Sequence, residues 1–563
     1  MKTWNLGNTT VRNPERIRDA LGVFKEQFEG HKFDVPTQNE FFNALIIAGV
    51  IKGDPNQTGS RDWSARKWAS AFNKLGLALP RGTKAHPVVT ITEAGNALLS
   101  ENTIESDIFL RQMLKIQLPS PTEDNLDGAA IHPFYLVLSV AYKLLERGLR
   151  PLGKEEIALF VQSATSDNQA EEIVEQIEQY RSGRDAIEGR IGKRKFFLER
   201  LTQKAQELYG DEMSPQKVGT LQDYSDTTVR YSSITGIFTI GRQSLVIKED
   251  QINLARALVE VGAPKLLSDE EFWGVFHNPT VPALPTDNTG FLQGDIATLE
   301  QRLSELSRQT GANVEGRTEV APDNILQLKR RREDLEKELT ALKEIQFYRA
   351  QHNPDQVEDI KSLFESIMAR ETIGGSDYRP AWAEWGVWRV FLSINTIATP
   401  VSETRGFKIN SELFPIHHAK GGAADLCFKY DDGTLVPAEI TLSTNERQFN
   451  MEGEAVKFHV KSIVEMNQSN EVIGVFTAPD VHVATAHEFF GAEFYSQKLG
   501  GVVKLNIVPL TFDQLQSLLP EQGNGCNSGA ELVEKLRNLV KLKDTSQDGA
   551  VWLQQIDQTL AIK

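Results

Sequence analysis

Residues 421–443 read "GGAADLCFKYDDGTLVPAEITLS". Apolar and polar residues alternate on both sides of a turn. Leu426, Phe428 and Tyr430 share one face of the first segment, and Ile440 and Leu442 share one face of the second. Alternation at a period of two marks half-buried strands. The intervening Asp431-Asp432-Gly433 fits a three-residue hairpin loop with glycine in the left-handed position. That loop pairs Tyr430 with Thr434 and therefore sets Asp425 opposite Glu439, with the two carboxylates ~5 Å apart on one face. A two-residue loop would put them on opposite faces, because a one-residue slip turns a strand over. Neighbouring carboxylates repel unless something positive sits between them, and hard oxygen ligands favour Mg²⁺. The alternative for a lone pair of this kind is two acids on a solvated sheet face.

Other acids gather around this hairpin. Glu384 interrupts the aromatic run "AWAEWGVW", flanked by Trp382, Trp385 and Trp388. A carboxylate there either faces solvent or aims at a shared ion. Downstream, "NMEGEAVKFHV" sets Glu452 and His459 seven residues apart, on one face of a helix. Glu452 could instead only favour a helix N-terminus, and His459, like His418 ahead of the hairpin, could simply pack. As a set they read as a metal site beside a proton-handling group. From about residue 371 to 563 the pattern is helix ("RPAWAEWGVWRVFLSIN"), hairpin, helix from about Met451, strand ("EVIGVFTAP"), helix through "VATAHEFFGAEF", strand ("KLNIVPL") and helix ("TFDQLQSLL"). Such alternation predicts an α/β domain with a mixed sheet covered on both faces.

The chain has 563 residues, enough for about four domains at ~150 residues each. Residues 1–125 read as three helices followed by a β-wing. Asn13-Pro14 caps the first helix, Ser60 caps "RDWSARKWASAFNKLGL", and "PVVTI" is a strand leading to Thr92 and the helix "EAGNALLS". This is the winged-helix plan, whose third helix enters the major groove by its N-terminal residues, here Arg61, Asp62, Ser64, Arg66 and Lys67. Residues 126–290 end with "TTVRYSSITGIFTIGRQSLVI", a second helix–strand–turn–strand unit with Gly241-Arg242 at its turn. Arg81, Arg230 and Arg242 complete the set expected to touch DNA. A small helical domain without nucleic acid is the alternative for each module. In residues 291–370, Ile296, Leu299, Leu303 and Leu306 and then Leu328, Leu335, Leu339 and Leu342 mark two amphipathic helices, a helical hairpin linker that is equally compatible with a dimerisation arm. The basic run Lys329–Arg332 is expected on its solvated face.

The net charge is −16, which argues against a generally polyanion-binding surface. Two stretches depart from it. Residues 57–87 hold six basic residues against one acid, and residues 181–204 hold eight against three. Each could be a solvated helix face, and together they make a phosphate-binding surface plausible. Two cysteines, Cys427 and Cys526, match no zinc or redox spacing. The N-terminus has no apolar signal core and no run is long enough to span a bilayer, so the cytoplasm, away from membranes, is the expected location.

The pattern D-x13-E-x-T at Asp425, Glu439 and Thr441 resembles the PD…(D/E)xK nuclease core, with Ala424 at the proline and Thr441 at the lysine. The segments "WAEWGVW", "PIHHAKGGAADL", "AEITLS", "RQFNMEGEAV" and "VFTAPD" are similar to the catalytic domain of AlwI-type restriction endonucleases, a family that includes related site-specific nicking endonucleases. The likeness continues through "RNPERI", "ITEAGNALL", "DIFLRQMLKIQLPS", "IHPFYLVLS" and "TTVRYSSITGIF". It implies a multidomain α+β chain: winged-helix-like DNA-recognition modules, a helical linker and a C-terminal PD-(D/E)xK-like nuclease domain. It further implies a type IIS enzyme that reads a short asymmetric site in double-stranded DNA and cuts a few base pairs away with Mg²⁺. Glu384, Asp425, Glu439, Glu452 and His459 match the family's active-site positions. Asp425, Glu439 and the Ile440 carbonyl are the expected metal ligands. Implied partners are a cognate methyltransferase and a second catalytic domain, from a transient homodimer or a separate subunit. A chain without one nicks. The competing reading is a non-catalytic DNA-binding regulator on a degenerate nuclease fold, since the motif's proline and lysine are missing.

Overall fold

The computed structural model describes residues 2–51, 62–83, 86–121, 126, 128–188, 190–241, 244–311, 324–370, 379–394, 396–410, 413–419, 422–520 and 525–560. The chain forms two compact units, Met1–Gln301 with Gly316–Glu336, and Arg302–Glu315 with Lys337–Lys563. Among the described residues no helix is long and apolar enough to cross a membrane.

In the first unit, the Asn13 side chain accepts the Glu15 amide and a 3₁₀ turn leads into helix Ile17–Phe28. Asp34 caps helix Val35–Ile47 by accepting the Thr37 amide, with Pro36 in the first turn. Helix Asp62–Lys74 follows; its expected cap, Ser60, lies outside the described residues. Phe24, Phe41 and Phe72, one from each helix, pack ring against ring and lock the three together. A short antiparallel hairpin, Ala78–Leu79 with Thr90–Ile91, comes next. Thr92 then caps helix Glu93–Leu99 by accepting the Gly95 amide at 3.0 Å. A Cβ on Gly95 would fall 2.0 Å from the Leu77 carbonyl oxygen, so only glycine lets this helix sit on the hairpin.

Helices Pro133–Glu146, Ala170–Asp185, Arg190–Tyr209 and Pro215–Ser233 precede a second hairpin, Phe238–Ile240 with Ser244–Ile247. The expected helix and the two strands after it are present in order, while Arg242, at the expected turn, lies outside the described residues. A third strand, Leu152–Gly153, joins Ser244–Ile247 from far upstream. One apolar cluster runs from Trp4 to Leu284, so both halves of this region share a core.

Helices Thr289–Thr310 and Ile325–Ala350 occupy the expected linker, with Leu299, Leu303, Leu328, Leu335, Leu339 and Leu342 buried. The basic run is not solvated as expected. Lys329 is bound by Asp107 and Asp287, Arg331 by Glu300, and the buried Arg332 by Asp295 and Glu336. These acids come mainly from distant segments, so periodicity along the helix could not reveal them.

The second unit is built on a four-stranded mixed sheet in the order Asn506–Thr511, Ile473–Ala478, Leu435–Ile440, Leu426–Lys429. The first three strands run parallel and the last antiparallel. Helix Asn445–Met466 makes the crossover between two parallel neighbours. Every residue of Ile473–Ala478 is buried, as a sheet covered on both faces requires. Two expectations fail nearby. The helix through Phe494 ends at Phe490, with Gly491 beyond it, and Glu493–Ser496 instead pairs with Gly501–Lys504 as a separate hairpin. The stretch "KLNIVPL" accordingly divides at Leu505 between two sheets.

Candidate active site

The opening hairpin has the expected register. Leu426 pairs with Ala438 and Lys429 with Leu435, and the Tyr430 amide reaches the Thr434 carbonyl at 3.0 Å. Gly433 has φ +85°, the left-handed turn position. One step beyond Leu426 and Ala438, Asp425 therefore stands opposite Glu439. The Asp425 carboxylate folds over the strand end and accepts the Ile440 amide at 2.9 Å.

The polar face of this strand is not solvated. Helix Asn445–Met466 lies over it, and Glu439 and Thr441 are only 7% and 8% exposed. Glu452 and His459, two turns apart on that helix, both reach the strand: the Thr441 hydroxyl donates to Glu452 Oε1 at 2.8 Å, and His459 Nδ1 sits 2.8 Å from Glu439 Oε1. The sequence alternation thus locates the acids, while the helix converts an apparent surface pair into a cluster around the buried Glu439, with Asp425, Glu452 and His459 half-buried.

Burial dominates the electrostatics. It raises the Asp425 carboxyl to about 7, with the charges of Glu439 and Glu452 adding to the shift and the Ile440 amide and His459 opposing it. Glu439 is raised as well, first by burial. His459 is raised by its hydrogen bond to Glu439, against burial. All three groups bind protons more tightly in the folded chain than in the unfolded one. The stability they contribute is complete below their unfolded values, roughly 4 for the acids and 6.5 for histidine, and is lost as pH rises through the folded values. In chelator, the melting temperature of this unit is expected to fall between about pH 5 and pH 8. Asp425→Asn should flatten that dependence in a thermal-shift series, and an unchanged slope would contradict the shared field.

Glu384 is buried in helix Arg379–Ser393, and its Oε2 accepts the Ala419 amide at 2.7 Å. It braces the segment that leads into the hairpin. His418 is exposed beside it. Among the described residues no group of three or more His, Cys, Asp or Glu side chains is arranged to hold a metal ion. The ligand set expected from the sequence is smaller, two carboxylates and the Ile440 carbonyl. Two contributors were not expected: the Thr441 hydroxyl, and Gln448, whose buried amide bridges Ser443, Asp480 and His482. Thr441 shares the two-residue period of Glu439, which gives its face but not its contact with Glu452, and Gln448 has no periodic signal.

The expected DNA-contacting residues fare differently. Arg61 and Arg242 lie outside the described residues. Ser64, Arg66 and Lys67 are on helix Asp62–Lys74. Arg66 is exposed and pairs with Asp62 at 3.0 Å, and Lys67 lies 5.6 Å from the ring centre of the exposed Trp63. Arg81 is exposed in the turn after Leu79. Arg230 must be corrected. It is buried in helix Pro215–Ser233, bound to Asp226, Thr227 and the Val11 carbonyl, and has no guanidinium face to offer DNA. In the second basic stretch, Arg181 is likewise taken up by Glu156 and Arg184 by Glu155.

A family model for the AlwI restriction endonucleases matches residues 73–518. The chain belongs to the AlwI restriction endonuclease family and is thus a DNA endonuclease by descent. No curated protein matches it. Among solved structures, the small subunit R.BspD6I2 of the heterodimeric restriction endonuclease R.BspD6I is similar at 22% identity over 36% of this chain and 98% of its own, with a TM-score of 0.29. The BpuJ1 endonuclease binding domain, solved with pyrene- and phenanthrene-modified DNA, is similar at 13% identity over 46% of this chain and 90% of its own, with a TM-score of 0.33.

Proposed function

We propose that the chain is a type IIS endonuclease that reads a short asymmetric site in double-stranded DNA and hydrolyses phosphodiester bonds a few base pairs away with Mg²⁺. The observation that carries this reading is the opposed pair of half-buried Asp425 and buried Glu439, beneath a helix that adds Glu452 and His459. Two desolvated carboxylates whose charges oppose each other fit a hard divalent cation, and every donor is oxygen. Asp425, Glu439 and the Ile440 carbonyl would hold it. Bound there, Mg²⁺ supplies polarisation of the phosphoryl group and a more acidic water.

The chain's own residues do the rest. His459 is fixed by Glu439, so its ring faces the site in one orientation. Glu452 takes the proton of the attacking water. As the new oxygen–phosphorus bond forms in line, the bond to the 3′ oxygen breaks. That oxygen takes up a proton, giving a 3′-hydroxyl and a 5′-phosphate. Glu384 positions the approach to the hairpin through Ala419. One chain carries one such site and cuts one strand, so a double-strand break needs a second catalytic domain or a second cut.

Recognition falls to the helix-and-hairpin regions 1–125 and 126–290, read as winged-helix-like modules, with the exposed Arg66 and Arg81 and the half-buried Ser64 and Lys67 as candidates. The region 291–370 serves as linker and 371–563 as the PD-(D/E)xK-like domain. Replacing Arg66 and Lys67 with alanine should weaken binding and reduce the salt dependence of log K by about 0.9 for each phosphate no longer neutralised. The melting temperature should stay nearly constant, because exposed ion pairs contribute only about 0.2–1 kcal/mol. An unchanged salt slope would remove this helix from the interface.

The deciding assay incubates the protein with a plasmid rich in short sites, with Mg²⁺ and then with EDTA. Discrete metal-dependent fragments or nicked circles support the reading, and run-off sequencing supplies site, offset and strand. Retarded but intact DNA would favour the regulator and overturn it. Mg²⁺ should also raise the melting temperature more at pH 8 than at pH 6, because protons occupy the raised carboxyls at the lower pH.

A further inference from the structure

We infer that Thr441 is a positioning residue for the hydrolytic step, acting through Glu452. The inference rests on the nuclease reading above and assigns a task to the position where the PD…(D/E)xK pattern has lysine. Thr441 Oγ1 has two partners: the Ser443 amide at 3.1 Å and Glu452 Oε1 at 2.8 Å. An amide N–H only donates, so the hydroxyl oxygen must accept from Ser443. The single hydroxyl proton is then left for the Glu452 carboxylate, which only accepts.

Oε1 of Glu452 is thereby occupied, while Oε2 accepts no hydrogen bond among the described residues. Glu452 lies close enough to Asp425, Glu439 and His459 for its charge to act on all three. The carboxylate is thus held by one oxygen and presents the other to the site. Its support is rigid. The Thr441 amide donates to the Thr477 carbonyl at 3.1 Å, which ties it to the neighbouring parallel strand. A β-branched side chain then has few other rotamers into which it could turn away from Glu452. A lysine there could reach a water with its own ammonium. Threonine is too short and works by orienting a second side chain.

The test compares Thr441→Val, which keeps the shape and removes the proton, with Thr441→Ser, which keeps the proton. Single-turnover cleavage by Thr441→Val should fall roughly 10- to 100-fold, the usual cost of removing such a support, with unchanged DNA affinity. Thr441→Ser should restore the rate to within a few-fold. On a Glu452→Gln background, Thr441→Val should add nothing. Wild-type rates in Thr441→Val, or effects that multiply in the double variant, would overturn the inference. The wild type, the two single variants and the double variant also give a melting-temperature cycle without DNA. Shifts less than additive by a few degrees support the Thr441–Glu452 link, and additive shifts overturn it. A wild-type protein that never cuts DNA, yet shows that coupling, would sink the nuclease reading and leave the link standing.

Discussion

Asp425→Asn is expected to abolish cleavage while leaving DNA binding intact. Asparagine has nearly the same shape, and its amide oxygen can still accept the Ile440 amide that Asp425 holds at 2.9 Å. The hairpin register is set by the loop and by backbone pairing from Leu426 to Lys429, so the substitution should not disturb it. What disappears is one of two charges able to hold a divalent cation in a desolvated cluster. Polarising the phosphoryl oxygen and activating the water are together worth several kcal/mol, so the single-turnover rate should fall at least roughly 10³-fold. Glu439→Gln should do the same: its amide oxygen can still accept from His459 Nδ1, as Glu439 Oε1 does at 2.8 Å, but the second charge is gone. Gel-shift affinity in the presence of chelator is the control. Full-rate cleavage by Asp425→Asn would remove the proposed mechanism.

Arg230→Ala is expected to cost stability and not recognition. The residue is 2% exposed and its guanidinium is held by Asp226, Thr227 and the Val11 carbonyl, linking helix Pro215–Ser233 to the N-terminal segment. Asp226 is also bound by Lys154 at 2.6 Å. Burial alone would raise the Asp226 carboxyl, but Lys154 and Arg230 overcome it and hold it below the ordinary range. Removing the arginine leaves a buried carboxylate with one fewer cation and a buried carbonyl without its donor. Breaking such a pair from one side costs about 3–5 kcal/mol. A pronounced fall in the unfolding midpoint of the N-terminal unit in urea is the expected result. Unchanged melting together with weaker DNA binding would return Arg230 to the interface.

Asp425 and Glu439 were legible in the sequence because a local rule governs them: an Asp-Asp-Gly loop and a two-residue period fix which residues face each other across a hairpin. The seven-residue spacing of Glu452 and His459 was legible for the same reason, since helical geometry places them on one face. Arg230 and Arg66 both sit in helical, partly basic segments, and nothing nearby distinguishes the buried one from the exposed one. Their difference depends on Val11 and Lys154, which are far away in sequence. The basic run Lys329–Arg332 misled for the same reason, its acids lying mostly on other segments.

By itself, then, the order of residues determined the hairpin and its register, most of the helices and strands around it apart from the Glu493–Lys504 hairpin, and the family. Each follows from turn chemistry and periodicity, which act over a few neighbouring residues, or from motif likeness. Only the tertiary structure decided that the polar face of the hairpin is roofed by helix Asn445–Met466, that Thr441 supports Glu452, that Glu384 grips Ala419, and which cations are buried. Those outcomes depend on desolvation and on partners brought together by packing, and both arise only when distant segments close over the same space.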